Sequence, residues 1–160
     1  MSTFVCTSGN IGVDLNTTST DAKFAKGTRV SGSSDSNWIY VEANGAISTG
    51  DCVSITSSGT ATRATTAGPR TGVEELAFAQ TAFATGEYGW VAQHGYGMTI
   101  AVSATTSQGV LYIATTSGKL SGTSASSTIA GVVITNISST ATTTTTTGVL
   151  TWPRSVLPNG

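Results

Sequence analysis

The chain has 160 residues, a formal net charge of −1 and 9% charged residues, where soluble domains usually carry about 25%. That length suits one ordinary domain that buries a core without disulfides or metals. So small a charge excludes electrostatic steering to DNA, RNA or an anionic membrane. A surface this poor in charge is better suited to a permanent assembly than to a free monomer.

Thr and Ser supply about a third of the chain, and Thr, Val, Ile and aromatic residues favour a pleated, half-buried surface over an exposed helix. The expected class is all-β, a single-domain antiparallel barrel or sandwich. Residues 1–21 hold few apolar anchors and read as an extended N-terminal arm, leaving 22–160 as the β domain. The opening "MSTFVCTSGNIGV" has neither the basic region nor the apolar run of a signal peptide. No stretch reaches the apolar length of a membrane helix. A soluble protein made in a cytoplasm is expected, with Cys6 and Cys52 reduced.

Hairpin grammar follows the arm. Trp38-Ile39-Tyr40-Val41 is a strand-forming run, and Asn44-Gly45 is a two-residue turn signal. A second turn at Gly50-Asp51 leads to Cys52-Val53-Ser54-Ile55. The turn "SSG" then predicts Thr60 to Thr65 as an antiparallel partner. "GPRTG" (68–72) is a break, and "VEELAFAQTAFATGEYGW" fits a helical stripe or an alternating strand. Strand is preferred, because turn chemistry flanks it and its neighbours are β.

Four further strand-like pieces come next: "GWVAQHGYGMTIAVS", "GVLYIATTSGKLSG", "STIAGVVITNIS" and "GVLTWPRSVL". Short strands at regular spacing point to a barrel or sandwich. Within "GEYGWVAQHGYG", Tyr88 and Trp90 should share one strand face and Val91 the other. Gly86 and Gly89 read as turn or bulge positions, and Gly95 and Gly97 as a bend. The Thr-rich tract at 140–148 is an exposed strand or a loop.

Little in the chain is built for chemistry. His94 is the only histidine, without a second metal ligand or an orienting carboxylate in a recognisable motif. Glu74, Glu75 and Glu87 could form a glycosidase-like pair, but adjacent Glu74 and Glu75 would point to opposite sides of a strand. No phosphate loop or nucleophile elbow is present. No enzyme activity, cofactor or metal is expected. Trp38, Tyr40, Tyr88, Trp90, Tyr96 and Tyr112 could form a stacking face, although alternating aromatics more often lie in a core or between subunits. Nucleic acid would require interleaved Arg and Lys, which this region lacks.

Five phrases in order resemble a known family. They are "FAKGTRVSG" (24–32), "NWIYVEANGAISTGDCVSI" (37–55), "LAFAQTAFATGEYGWVAQHG" (76–95), "GVLYIATTSGKLSG" and "STIAGVVITN". The chain is similar in these to the small β proteins that decorate or cement the capsids of tailed bacteriophages. The resemblance implies a β-barrel or β-tulip-like domain on the capsid exterior, often a homotrimer at local three-fold positions. Its partner would be the major capsid protein, bound after capsid expansion and assembled in the host cytoplasm. Expected coat contacts are Phe4, Val5 and Ile11 of the arm with the cationic trio Lys23, Lys26 and Arg29. Trp38, Tyr40, Tyr88, Trp90, Tyr96 and Tyr112 are expected in the core or between subunits. The alternative is a head-fibre or receptor-binding module that recognises host surface glycans through its aromatics, Trp90 foremost.

Overall fold

The computed structural model describes residues 13–66, 75–103, 109–123, 127–135 and 145–156. None of these is helical, and the fold is all-β, a closed five-stranded barrel with extra strands. Strand β1 (Arg29–Gly32) forms a hairpin with β2 (Ser36–Ala43). β3 (Cys52–Ile55) forms the next with β4 (Thr60–Arg63), joining them as the "SSG" signal predicts. β5 (Glu75–Ala79) lies on β3, and β6 (Tyr88–Ala101) lies on β5. The segment that could have been a helix is thus strand at Glu75–Ala79 and again from Tyr88, with non-helical turns between.

The barrel closes because β2 pairs with β6 along one edge and with β4 along the other. The β2–β4 pair is parallel, which corrects the expectation of a wholly antiparallel sheet. The cause is local. Asn44-Gly45 does not return the chain as a hairpin; the Asn44 N–H donates to the Ala61 carbonyl, and Ile47 crosses to bridge Phe83. β3 then runs back along the far side of the barrel, so its antiparallel partner β4 runs in the same direction as β2 where the two meet.

Side chains alternate across a strand, and here both faces are buried. Ile39, Val41, Ala43, Val53, Ile55, Ala61, Ala77, Ala79 and Val91 fill the barrel, with Ile47 and Phe83 packed among them. Trp38, Tyr40, Cys52, Leu76, Phe78, Trp90 and Ala92 belong to a second core. This explains why "WIYV", "LAFA" and "WVA" read as unbroken apolar runs.

A second layer covers that outer face. β6 continues past the barrel to pair with β10 (Thr145–Val156), which pairs with β9 (Thr128–Ile134). β7 (Leu111–Ile113) and β8 (Leu120–Ser121) complete the sheet. Met98, Ile100, Leu111, Ile113, Leu120, Ile134 and Leu150 from this layer join the second core. The bend in β6 falls at Gly95 (φ 139°) and Gly97 (φ 67°), as expected. At Gly95 an added Cβ would strike the Met98 side chain and lie 2.9 Å from Ser36 Cβ.

Two local expectations change. Gly89 is neither turn nor bulge: it lies inside β6, where an added Cβ would sit 2.8 Å from the Phe83 ring. The described part of the arm is packed rather than loose, because Leu15 is buried and Ser19 and Tyr88 exchange backbone hydrogen bonds of 2.9 and 2.8 Å. Thr145 to Thr147 of the Thr tract begin β10, while 140–144 lie outside the described residues.

A narrow five-stranded barrel leaves room for small side chains. Ala77→Leu should therefore overpack it and cost about 1–3 kcal/mol, read as a lower urea midpoint with an unchanged slope.

Candidate functional site

The candidate catalytic groups are dispersed. Glu75 accepts hydrogen bonds from Arg29 and Gln93. Glu87 accepts from the Ala84 N–H at 2.7 Å and the Thr18 hydroxyl at 2.9 Å. In the β5–β6 ladder Ala79 faces Val91, so Glu75 and Glu87 lie about eight residues apart, roughly 25 Å at strand rise. A glycosidase pair needs about 5–9.5 Å. Glu74 lies outside the described residues. Among those described, no cluster of three or more His, Cys, Asp or Glu side chains could hold a metal. No helix there is long and apolar enough to cross a membrane.

The expected partner contacts are largely committed within the chain. Lys26 Nζ lies 2.7 Å from Glu42, and that hydrogen bond raises the ammonium pKa. Arg29 forks onto both Glu75 carboxylate oxygens at 2.7 and 2.6 Å and reaches Gln93 Oε1. Lys23 is exposed, and its backbone N–H donates to the Tyr40 hydroxyl. A cavity of about 350 Å³ opens between these ion pairs and the Thr56–Gly59 turn, floored by Ile39 and Ile55. Its charged rim is already neutralised, so it offers a ligand little net charge. Phe4, Val5 and Ile11 lie outside the described residues.

The expected aromatics divide between core and surface. Trp38, Tyr40 and Trp90 are no more than 2% exposed. Tyr40 sits 5.0 Å from the Trp90 ring, while Tyr88 stacks on it at 6.3 Å. Phe24, which sequence reasoning did not single out, packs edge-on against Tyr40 and close to Trp90. Trp38, Tyr40 and Trp90 are scaffold, closed to a stacking ligand, while Phe24 and Tyr88 are half-buried beside them. Tyr112 is half-buried in β7, and Tyr96 is 57% exposed.

The exposed apolar residues point to a different face. On β10, Leu150 is buried, so Thr147, Val149 and Thr151 turn outward. Val149 pairs with Val133 on β9, which is 58% exposed, and faces the Tyr96-Gly97 step of β6. Tyr96, Val149 and Val133 thus form an apolar row across three strands, with Thr99, Thr147 and Thr135 beside it. Together β6, β9 and β10 carry one formal charge, Arg154. Sequence reasoning took Tyr96 from this face but missed Val133 and Trp152. Their neighbours alternate normally, and only the Trp152-Pro153 step breaks the strand pattern.

His94 sits at this face within β6, where the partner strand changes from β2 to β10. Comparison with family models, curated proteins and solved structures finds no match.

Asp51 is the other notable group, and it serves the joint between the layers. Its nearly buried carboxylate accepts the Ser48 N–H at 2.8 Å, with Arg63 4.0 Å away. It packs under Gly118, where an added Cβ would lie 2.6 Å from Asp51 Cγ. Desolvation raises its pKa, against the opposing pull of Ser48, Arg63 and Lys119. With the folded value above the unfolded one near 3.9, the unfolded chain ionises first as pH rises. Stability is therefore greatest below that pH and falls as pH rises through the folded value. Denaturation between pH 3 and 7 should show wild type losing stability relative to Asp51→Asn across that window.

Proposed function

We propose that this chain is a virion structural protein, a decoration or cement protein that binds the outside of a phage head and stabilises its coat lattice. The observation that carries the reading is the nearly uncharged face of β6, β9 and β10, with Tyr96 and Val133 exposed at its centre. An apolar row of this kind on a body that already buries two cores is suited to a protein partner. The order of the sequence phrases adds to this, as does a body whose catalytic candidates lie far apart. The partner in this reading is the major capsid protein, with the arm residues Phe4, Val5 and Ile11 adding backbone contacts to it. A homotrimer would repeat the same face by symmetry.

Purified protein mixed with expanded heads lacking it should bind saturably and raise their resistance to heat and to chelators. Val133→Glu puts a charge on the apolar row without touching either core, and should weaken occupancy at least tenfold with the melting temperature unchanged. Absence of saturable binding by the wild type would overturn the assignment.

A further inference from the structure

Among the described residues three non-glycine residues have positive φ: Ser34 (58°), Asp35 (52°) and Trp152 (55°). Two of them touch one side chain. His94 Nδ1 lies 2.7 Å from the Asp35 carbonyl oxygen, and its ring is 5.9 Å from the Trp152 indole at 40°. Ser34 is the residue beside Asp35 in the same turn. A left-handed backbone at a bulky residue is strained and persists only where its surroundings impose it.

The surroundings at Trp152 do impose it. Leu150 pairs with Val132 and Arg154 with Ala130, so Thr151, Trp152 and Pro153 all face Gly131. Gly131 has φ 80°, and an added Cβ there would lie 2.6 Å from the Thr151 oxygen and 2.9 Å from the Trp152 oxygen. Simple alternation would direct Trp152 away from the face of Thr151, the cross-strand partner of His94. The bulge instead turns the indole over His94 and leaves it 50% exposed.

Some of the polar groups nearby are committed and others are not. A carbonyl can only accept, so His94 Nδ1 carries a proton and donates to Asp35 O, and in the neutral ring Nε2 is then an acceptor. The exposed Asp35 carboxylate and the exposed Thr151 hydroxyl have no hydrogen-bond partner among the described residues. One open aromatic face bordered by acceptors and a hydroxyl matches the chemistry of a sugar ring, whose apolar C–H face stacks while its hydroxyls donate.

We propose that Trp152, His94 and Asp35 form a binding site for a neutral hexopyranose. The indole carries the ring's apolar face, and Asp35 and His94 Nε2 accept from its hydroxyls. The unpaired Asp35 carboxylate disfavours anionic sugars. This site stands on the bulge and the His94 contacts, and does not depend on the capsid-binding reading.

Trp38 and Trp90 are buried, so acrylamide quenching of tryptophan fluorescence reports Trp152. The intact chain is titrated with methyl glucoside, galactoside and mannoside and their linear oligomers, with tetramethylammonium as the cationic control. At least one neutral saccharide should shield Trp152 saturably, and Asp35→Ala should weaken calorimetric binding at least tenfold. Trp152→Gly should abolish binding while melting no lower than wild type, because glycine accepts this φ without strain. The proposal is overturned if no saccharide in the panel shields Trp152, if Trp152→Gly binds as well as wild type, or if only tetramethylammonium saturates the site.

Discussion

Closing five strands into one barrel sets the terms for the rest of the molecule. The interior is so narrow that alanines at 43, 61, 77 and 79 are needed beside Val and Ile to fill it. A core of small residues buries limited apolar surface, roughly 25 cal/mol for each Å². The larger side chains, Trp38, Trp90, Phe78 and Tyr40, therefore lie on the outside of the barrel wall. Left bare, that wall would be a broad apolar surface. The second layer of β7 to β10 covers it, and β6 is the strand that carries the chain from one layer to the other.

That arrangement explains where the chain's few charges go. Lys26 and Glu42, and Arg29 and Glu75, pair around the barrel opening, while Asp51 serves the seam between layers. Exposed pairs of this kind contribute little stability; their consequence here is distribution. Two cationic side chains and their carboxylates are gathered at one end, and the outer face of β6, β9 and β10 is left nearly without charge. Hydroxyl groups of Thr keep that face hydrated, and Tyr96 and Val133 interrupt them with apolar area.

Much of the fold was legible because its signals are local. Alternation assigned Trp90 and Val91 to opposite faces, and the "SSG" turn located the β3–β4 hairpin. The Gly95-Gly97 bend could be read from glycine's tolerance of positive φ. What escaped was non-local. Asn44-Gly45 has the chemistry of a tight hairpin, yet its neighbours are claimed by Ala61 and Phe83 from distant parts of the chain. The parallel β2–β4 contact follows from that diversion. The aromatics are expected in the core or between subunits, and Trp38, Tyr40 and Trp90 do lie in a core. What the sequence leaves open is which of them a second layer covers, because alternation does not report that both faces of a strand will be buried.

His94 and Trp152 show how a surface feature can be specified by an element with no contact to any ligand. A tryptophan in the left-handed region costs of order 1–3 kcal/mol, and a glycine or asparagine at 152 would relieve much of it. The bulge persists because Gly131 on the next strand removes the Cβ that would otherwise collide with the Thr151 and Trp152 carbonyls. Pro153 adds to it by withholding a backbone N–H where a regular ladder would use one. Three positions on two strands thus hold one indole over one imidazole. The strain is local, and two well-packed layers beneath it supply the rigidity that keeps it from relaxing.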